Sequence, residues 1–192
     1  MVSGVTTVLT AAAYDIHLEQ LLDRLKQLHE ILSSAGIPYR IVGGMGVFLH
    51  VFSRDPLKAR LTRDVDAAIG RDSLSKVIEA ARGAGLAYRH VAGADMLIDD
   101  KPGARARSAV HLIFTGEKVR PDYLEPSAPE ETGEGILIAP VADLVRMKLT
   151  AYRLEDRAHI QDLDGVGLIT PEIEASLSEP LRQRLAEVRA TE

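Results

Sequence analysis

Residues 41–46 have the sequence IVGGMG, and residues 62–67 have the sequence TRDVDA. The first stretch runs from a short apolar segment through Gly43 and Gly44 into a second apolar segment. In a turn of this kind the backbone amides can approach an anion closely, and the positive end of the helix dipole lies at the same place. Glycine is also the default residue of a tight strand-to-helix turn, and taken alone this stretch favours that structural interpretation.

The second stretch carries two carboxylates, Asp64 and Asp66. Residues i and i+2 of a strand point to the same face, so a strand over residues 62–69 predicts that the two aspartates are neighbours. Two carboxylates on an apolar strand repel each other and need a cation, and oxygen ligands suit Mg²⁺ or Mn²⁺ together with substrate phosphates. The alternative is a strand end that is salt-bridged to Arg60 or Arg63. The preceding strand–glycine–helix unit favours the metal site.

Hydrophobic periodicity predicts the remaining elements and an α+β fold, with a small mixed or antiparallel sheet flanked by helices. We predict an irregular arm over residues 1–14, a core over 15–138 and a helical tail over 139–192. Helices are predicted over residues 16–35, 45–52, 73–84, 140–153 and 155–165, with two more after Pro171 and Pro180. Strands are predicted over residues 39–42, 62–69, 86–91, 96–98, 109–114 and 136–138, with loops over 101–107 and 116–135.

The composition of the 192 residues fits one compact domain, with 46% hydrophobic and 27% charged residues. The net charge is −5, only 4% of residues are aromatic, and tryptophan is absent. These values argue against a protein that binds nucleic acid mainly through counterion release or base stacking. The lack of cysteine excludes disulfides and thiolate ligands. Without a signal-peptide pattern or a stretch of ~20 apolar residues, we expect a cytoplasmic protein and no membrane partner.

The glycine turn, the following helix and the segment RLTRDVD at residues 60–66 resemble the nucleotidyltransferase superfamily. The likeness is greatest to the AbiEii-like toxin branch and its uncharacterised bacterial relatives. The segments DLVRMKL at 143–149 and YRLEDR at 152–157 are similar to the helical lysine motif of that branch. Together the likeness covers roughly residues 20–168 and implies the polymerase-beta-like nucleotidyltransferase fold.

This resemblance implies transfer of a nucleoside monophosphate from an NTP to an acceptor, which could be RNA, a protein or a small molecule. Asp64 and Asp66 would hold the metal, and Gly43 and Gly44 would seat the triphosphate. Arg63 and Lys148 are the further candidates for nucleotide contacts. A cognate antitoxin is the protein partner that the toxin branch implies.

Lys148 can also be considered from its position on the predicted helix. It shares a face with the apolar residues Val141, Leu144 and Val145. A lysine on such a face either extends its ammonium group to solvent or meets an anion. The resemblance favours a phosphate contact.

The chain departs from the superfamily pattern at the third carboxylate. The strand SAVHLIF at residues 108–114 carries His111 where the family has an acid. Histidine suits transition metals better than Mg²⁺. His111 could be the base, or Asp95, Asp99 or Asp122 could enter the site instead. The protein could also bind nucleotide without efficient transfer, or His111 could be a hydrogen-bonded residue at the edge of the core. A structural module whose aspartates are merely salt-bridged is the third, less favoured hypothesis.

Overall fold

The computed structural model describes residues 11–101, 109–117 and 127–191. Residues 11–14, expected in an irregular arm, belong to the first helix, whereas residues 1–10 lie outside the described part. Residues 102–107 of the predicted hairpin or loop and residues 118–126 of the predicted surface segment also lie outside it. The helices are α1 (Ala11–Ser34), α2 (Gly43–Arg54), α3 (Leu74–Gly83), α4 (Val141–Ala151), α5 (Leu154–Gly165), α6 (Pro171–Ser176) and α7 (Glu179–Arg189).

The strands form one mixed sheet in the order β3-β4-β5-β2-β1-β7-β6. The pairs β2/β5 and β1/β7 are parallel, and the other neighbouring strands are antiparallel. The predicted α+β class with a mixed sheet is therefore confirmed. The short strand β6 was not predicted, because two exposed glutamates carry no apolar pattern. The strands are β1 (Tyr39–Val42), β2 (Val65–Gly70), β3 (Leu86–Val91), β4 (Ala94–Asp99), β5 (Val110–Thr115), β6 (Glu130–Glu131) and β7 (Leu137–Ile138).

Each face of the sheet is covered by its own hydrophobic core. Alternate residues of the central strands, such as Ile41, Ala67 and Val110, pack with the apolar stripe of α1 and with α3. The intervening residues Val42 and Ala68 belong to a second core with the helices of the C-terminal region. This alternation follows from the two-residue period of a strand. In the described residues, no helix is long and apolar enough to cross a membrane.

Strand β2 begins at Val65, three residues later than predicted. In the antiparallel register between β1 and β2, Val42 lies opposite Asp66. Continuing this register would pair Asp64 with Gly44, which already belongs to α2. The partner strand has therefore ended, and Asp64 lies in the loop just before β2 rather than in the strand.

Candidate active site

The glycine turn lies directly against the aspartate strand. Strand β1 ends at Val42, and α2 begins at Gly43 without an intervening loop. Gly43 has a φ of +65°, and a Cβ atom there would overlap Oδ2 of Asp66. A Cβ atom on Gly44 would lie 2.6 Å from Oγ1 of Thr62. Both glycines are therefore required by tertiary contacts, and they bring the Asp66 carboxylate against the N-terminus of α2.

The two aspartates are held differently. Asp66 lies within β2, between β1 and β5, and its side chain is 23% exposed. Asp64 is half-buried in the preceding loop, where no strand pairing holds it. The close pair expected from strand geometry is thus replaced by one carboxylate fixed by the sheet and one that depends on the loop.

His111 occupies the position opposite Asp66 in the parallel pair β2/β5. Its Nδ1 lies 3.3 Å from Oδ1 of Asp66, and its side chain is 34% exposed. The hydrogen bond with Asp66 raises the pKa of His111, burial opposes this rise, and the negative charges of Asp66 and Asp64 add to it. The imidazole of His111 is therefore hydrogen-bonded to Asp66, one of the two candidate metal ligands.

The donor set fits a metal in part. No group of three or more His, Asp or Glu side chains within residues 11–101, 109–117 and 127–191 is arranged to hold a metal ion. Asp64 and Asp66 remain as two candidate oxygen ligands, and the Asp66 carboxylate occupies the space that a Cβ atom at Gly43 would need. Mg²⁺ commonly binds one or two carboxylates and completes its coordination with water and substrate phosphates. The two aspartates fit that type of site.

The other acids considered for the third position in the described residues have partners of their own, although Asp95 also lines the cleft that contains Asp66. Asp95 lies opposite Leu112, so it is on the sheet face opposite to His111; it accepts a hydrogen bond from Tyr88 and is bonded to His90. Asp99 forms an ion pair with Arg24 of α1 at 2.6 Å. Asp122 lies outside the described residues. Neither Asp95 nor Asp99 shares the sheet face of Asp66.

Lys148 is buried and bound to Asp156. Its Nζ donates to Oδ1 of Asp156 at 2.9 Å, and the two side chains are 8% and 1% exposed. Arg153 binds the same carboxylate through Nε at 2.8 Å, and its backbone N–H also donates to it. Burial raises the pKa of Asp156, but the hydrogen bonds from Arg153 and Lys148 outweigh burial and lower it. One carboxylate thus lies between two cations at the edge of the cleft.

These groups line a cleft of about 800 Å³ between the sheet and α4. Its floor includes the small or apolar side chains of Ala68, Ala94 and Ile113. Asp66, His111, Lys148, Arg153 and Asp156 lie along it. Arg63, predicted to contact nucleotide, is exposed in the loop before Asp64 and is not among the lining residues.

Sequence reasoning missed the role of α5. The suggestion that Arg60 neutralises the aspartates is wrong, because Arg60 binds Asp162 of α5. His159 of the same helix packs against the glycine turn, with its Cε1 3.3 Å from the position of a Cβ atom on Gly44. Its buried Nδ1 has no hydrogen-bond partner among the described residues, and burial lowers the pKa of the imidazole. No local pattern marks these contacts, since they join residues about a hundred positions apart.

Comparison with known proteins supports the fold through structure alone. No protein-family profile and no curated protein matches the sequence. The solution structure of the antibiotic-resistance factor ANT(2'')-Ia is similar, with a TM-score of 0.56 and 10% identity over 91% of this chain and 94% of that chain. A crystal structure of ANT(2'')-Ia in complex with adenylyl-2''-tobramycin has a TM-score of 0.47 and 14% identity, over 88% and 98% of the two chains. A tRNA nucleotidyltransferase complexed with a primer tRNA and an ATP analog has a TM-score of 0.37 and 19% identity, over 85% and 50%. The chain has the nucleotidyltransferase fold.

Proposed function

We propose that this protein is a metal-dependent nucleotidyltransferase that moves a nucleoside monophosphate from an NTP to an acceptor. One observation carries the proposal: the glycine turn at the N-terminus of α2 packs against Asp66, and Gly43 and Asp66 line a cleft of about 800 Å³. Asp64 lies in the loop just before β2 and is not among the lining residues. This arrangement brings an anion-binding helix terminus and a carboxylate to one place, with a second carboxylate two residues earlier in the chain. A triphosphate with a divalent cation satisfies both.

The glycine turn would bind the phosphates. The first amides of a helix lack partners within the helix, and the helix dipole makes this end positive. The missing side chain at Gly43 leaves room for the Asp66 carboxylate beside the N-terminus of α2. Asp64 and Asp66 would hold Mg²⁺ or Mn²⁺, which supplies charge neutralisation of the triphosphate and of the leaving group.

Lys148 and Arg153 are the further proposed phosphate contacts, because both line the cleft. Both bind the carboxylate of Asp156, and Arg153 also pairs with Glu155 at 3.1 Å, so the four groups together are formally neutral. Arg63 is exposed in the loop directly before Asp64. We propose that it contacts the nucleotide once the nucleotide is bound.

The reaction is an in-line displacement at the α-phosphorus. The acceptor oxygen forms a bond to this phosphorus. The bond between the α-phosphorus and the oxygen that bridges it to the β-phosphorus breaks, and pyrophosphate leaves. We assign the acceptor proton to Nε2 of His111, because Nδ1 faces Asp66. The strand positions of Asp95 and Asp99 place both on the sheet face opposite to that of Asp66 and His111, which favours His111 as the base.

The acceptor class is proposed from sequence resemblance. The toxin-like branch suggests RNA or a protein as acceptor and an antitoxin as partner, and a small molecule is the third candidate. Incubation with α-labelled NTP and each acceptor class in turn distinguishes them. Label would move to the RNA, the protein or the small-molecule fraction.

The test of the function uses α-³²P-labelled NTP with Mg²⁺ and a mixture of these acceptors. The wild type should transfer label, and Asp64→Asn and Asp66→Asn should each lower transfer by about 100-fold or more, since metal and phosphate positioning supply most of the rate. Asp23→Asn is the matched control, because Asp23 is exposed on α1 on the opposite side of the sheet. Equal transfer in all four proteins would sink the proposal.

A second function has its own supporting observation. His111 stands where a third acid is expected, and the described residues form no three-ligand metal group. A nucleotide-binding or regulatory protein that has lost turnover is therefore the alternative. It predicts that NTP raises the melting temperature of the wild type while no label is transferred to any acceptor.

A further inference from the structure

One row of residues on α5 contacts the cleft, the glycine turn and the loop before Asp64. Asp156, His159, Asp162 and Gly165 are spaced by three residues, so they follow one oblique row that winds about 60° around the helix at each step. Asp156 binds Lys148 and Arg153 at the cleft, and His159 packs against Gly44. Asp162 binds Arg60, and the carbonyl oxygen of Gly165 accepts a hydrogen bond from Nζ of Lys58 at 3.1 Å. The row thus reaches from the cleft to the loop that precedes Asp64.

The contact between Arg60 and Asp162 has the geometry of a two-point fork. Nε of Arg60 lies 3.1 Å from Oδ2 of Asp162, and Nη2 lies 3.1 Å from Oδ1. Two parallel hydrogen bonds restrict the orientation of a guanidinium group as well as its distance. Since Asp162 is mostly buried on a rigid helix, the fork fixes the backbone near Arg60 relative to α5.

Asp64 depends on such a restraint. It precedes β2, so strand pairing does not hold it. The loop between Ala59 and Asp64 is in contact with the glycine turn at Thr62, whose Oγ1 is close to Gly44. The fork at Arg60, the packing at Thr62 and the contacts of Ala59 and Leu61 with the hydrophobic cores together hold this loop.

The ion pair between Arg60 and Asp162 is expected to affect the reaction rate more than the stability of the fold. The side chain of Arg60 is 61% exposed, and ion pairs with an exposed partner contribute little to the stability of a fold. A shift of about 1 Å in a group that orients substrate can nevertheless lower a rate by about 100-fold. A fork that adds little stability and restrains the metal-binding loop is expected to affect turnover more than folding.

We propose that Arg60 and Asp162 are a positioning pair that holds the loop of Asp64 against the glycine turn. This inference rests on the function proposed above, because it assigns the pair to the same site. Neither residue touches the nucleotide. The pair acts through the placement of Asp64.

The test compares two aspartates of α5 that each bind an arginine fork. Asp162→Asn removes the fork to the loop, and Asp164→Asn removes the fork of Arg189, with distances of 2.7 and 2.9 Å, that joins α5 to α7. Arg60→Gln removes the same pair of hydrogen bonds by changing its exposed partner, so no buried side chain is altered. The double variant of Arg60 and Asp162 tests whether the two residues act together.

Asp162→Asn and Arg60→Gln should each lower kcat by about tenfold or more and raise the Mg²⁺ concentration for half-maximal rate, while KM for NTP changes by less than about threefold. The double variant should be no slower than the slower single variant, because the two side chains form one interaction. Asp164→Asn should keep the wild-type kcat. Hydrogen exchange of the amides at residues 59–64 should rise only when the loop fork is removed.

The outcomes distinguish this inference from the function on which it rests. A wild type that transfers no label overturns the proposed function and this inference with it. Label transfer with equal kcat in Asp162→Asn and Asp164→Asn overturns the positioning pair alone. Unchanged exchange at residues 59–64 in Asp162→Asn and Arg60→Gln also overturns it, whatever the activity.

Discussion

Gly43 serves the backbone and the candidate site at once. Its φ of +65° lies in the left-handed region that side chains disfavour, and Asp66 occupies the space that a Cβ atom would need. Gly36 has a similar φ of +62° but no atom within 4 Å of an added Cβ. A side chain at Gly36 would therefore meet backbone strain alone, whereas a side chain at Gly43 would meet backbone strain and overlap with Asp66.

The first prediction uses this difference. Gly36→Ala should lower the free energy of unfolding by about 1–2 kcal/mol through strain alone. Gly43→Ala should cost about 1–3 kcal/mol more, because the Asp66 carboxylate must move. Urea denaturation measures both, and label transfer should be lost only in Gly43→Ala. Equal losses of stability in the two variants would show that Asp66 moves freely away from the turn.

The second prediction concerns His111. His111→Gln keeps a side chain that can hydrogen bond to Asp66 but cannot take up a proton at neutral pH. If His111 accepts the acceptor proton, kcat should fall by about 100-fold or more, since general-base catalysis contributes that much. KM for NTP should change little. A glutamine variant with wild-type kcat would reduce His111 to a hydrogen-bonding neighbour of Asp66.

At the scale of elements, the turn between β3 and β4 carries a strained residue. Val91 pairs with Ala94, so the turn consists of Ala92 and Gly93, with φ values of +52° and +80°. Positive φ at both central residues is typical of a type I′ turn, which favours Asn-Gly. Ala92 has no side-chain contact that requires alanine, because it is exposed.

The third prediction follows from that turn. Ala92→Asn should raise the free energy of unfolding by about 0.5–1 kcal/mol, because asparagine tolerates the left-handed region better than alanine. Ala92→Val should lower it, since a β-branched residue is strained there. Chemical denaturation of the two variants beside the wild type measures both effects. A destabilised asparagine variant would contradict the turn assignment.

At the scale of the whole molecule, the pair Lys148–Asp156 joins α4 to α5 in the second core. The pKa of Asp156 is lowered, with burial opposing the shift and the bonds from Arg153 and Lys148 outweighing it. A carboxyl whose pKa is lowered by folding stabilises the fold above its unfolded pKa of about 3.9. This stabilisation is lost as the pH falls through the lower folded value.

The fourth prediction is therefore a pH profile. At pH 7, Asp156→Asn should lower the free energy of unfolding by roughly 3–5 kcal/mol, because it leaves the buried ammonium group of Lys148 unpaired. Below about pH 4 the variant should lose less further stability than the wild type does. Urea denaturation between pH 7 and pH 2.5 measures this, with Asp23→Asn as the exposed control. Parallel profiles for wild type and Asp156→Asn would contradict the linkage.

The sequence by itself determined the helices, the principal strands and the turn at Gly43 and Gly44. Periods of 3.6 and two residues report which side of each element is buried, and glycines mark the turn that a side chain cannot occupy. The family resemblance drew attention to His111 of β5, and the structure places it opposite Asp66. These features are local, or follow from strand alternation.

Only the tertiary structure decided how the loop of Asp64 is held. Sequence reasoning extended β2 back to residue 62, because it could not see that β1 ends where α2 begins. Its less favoured alternative placed Arg60 or Arg63 on the aspartates, whereas the structure binds Arg60 to Asp162, 102 residues away. Contacts between distant side chains depend on how helices pack, and that packing is set by the shape of both cores together rather than by any one segment.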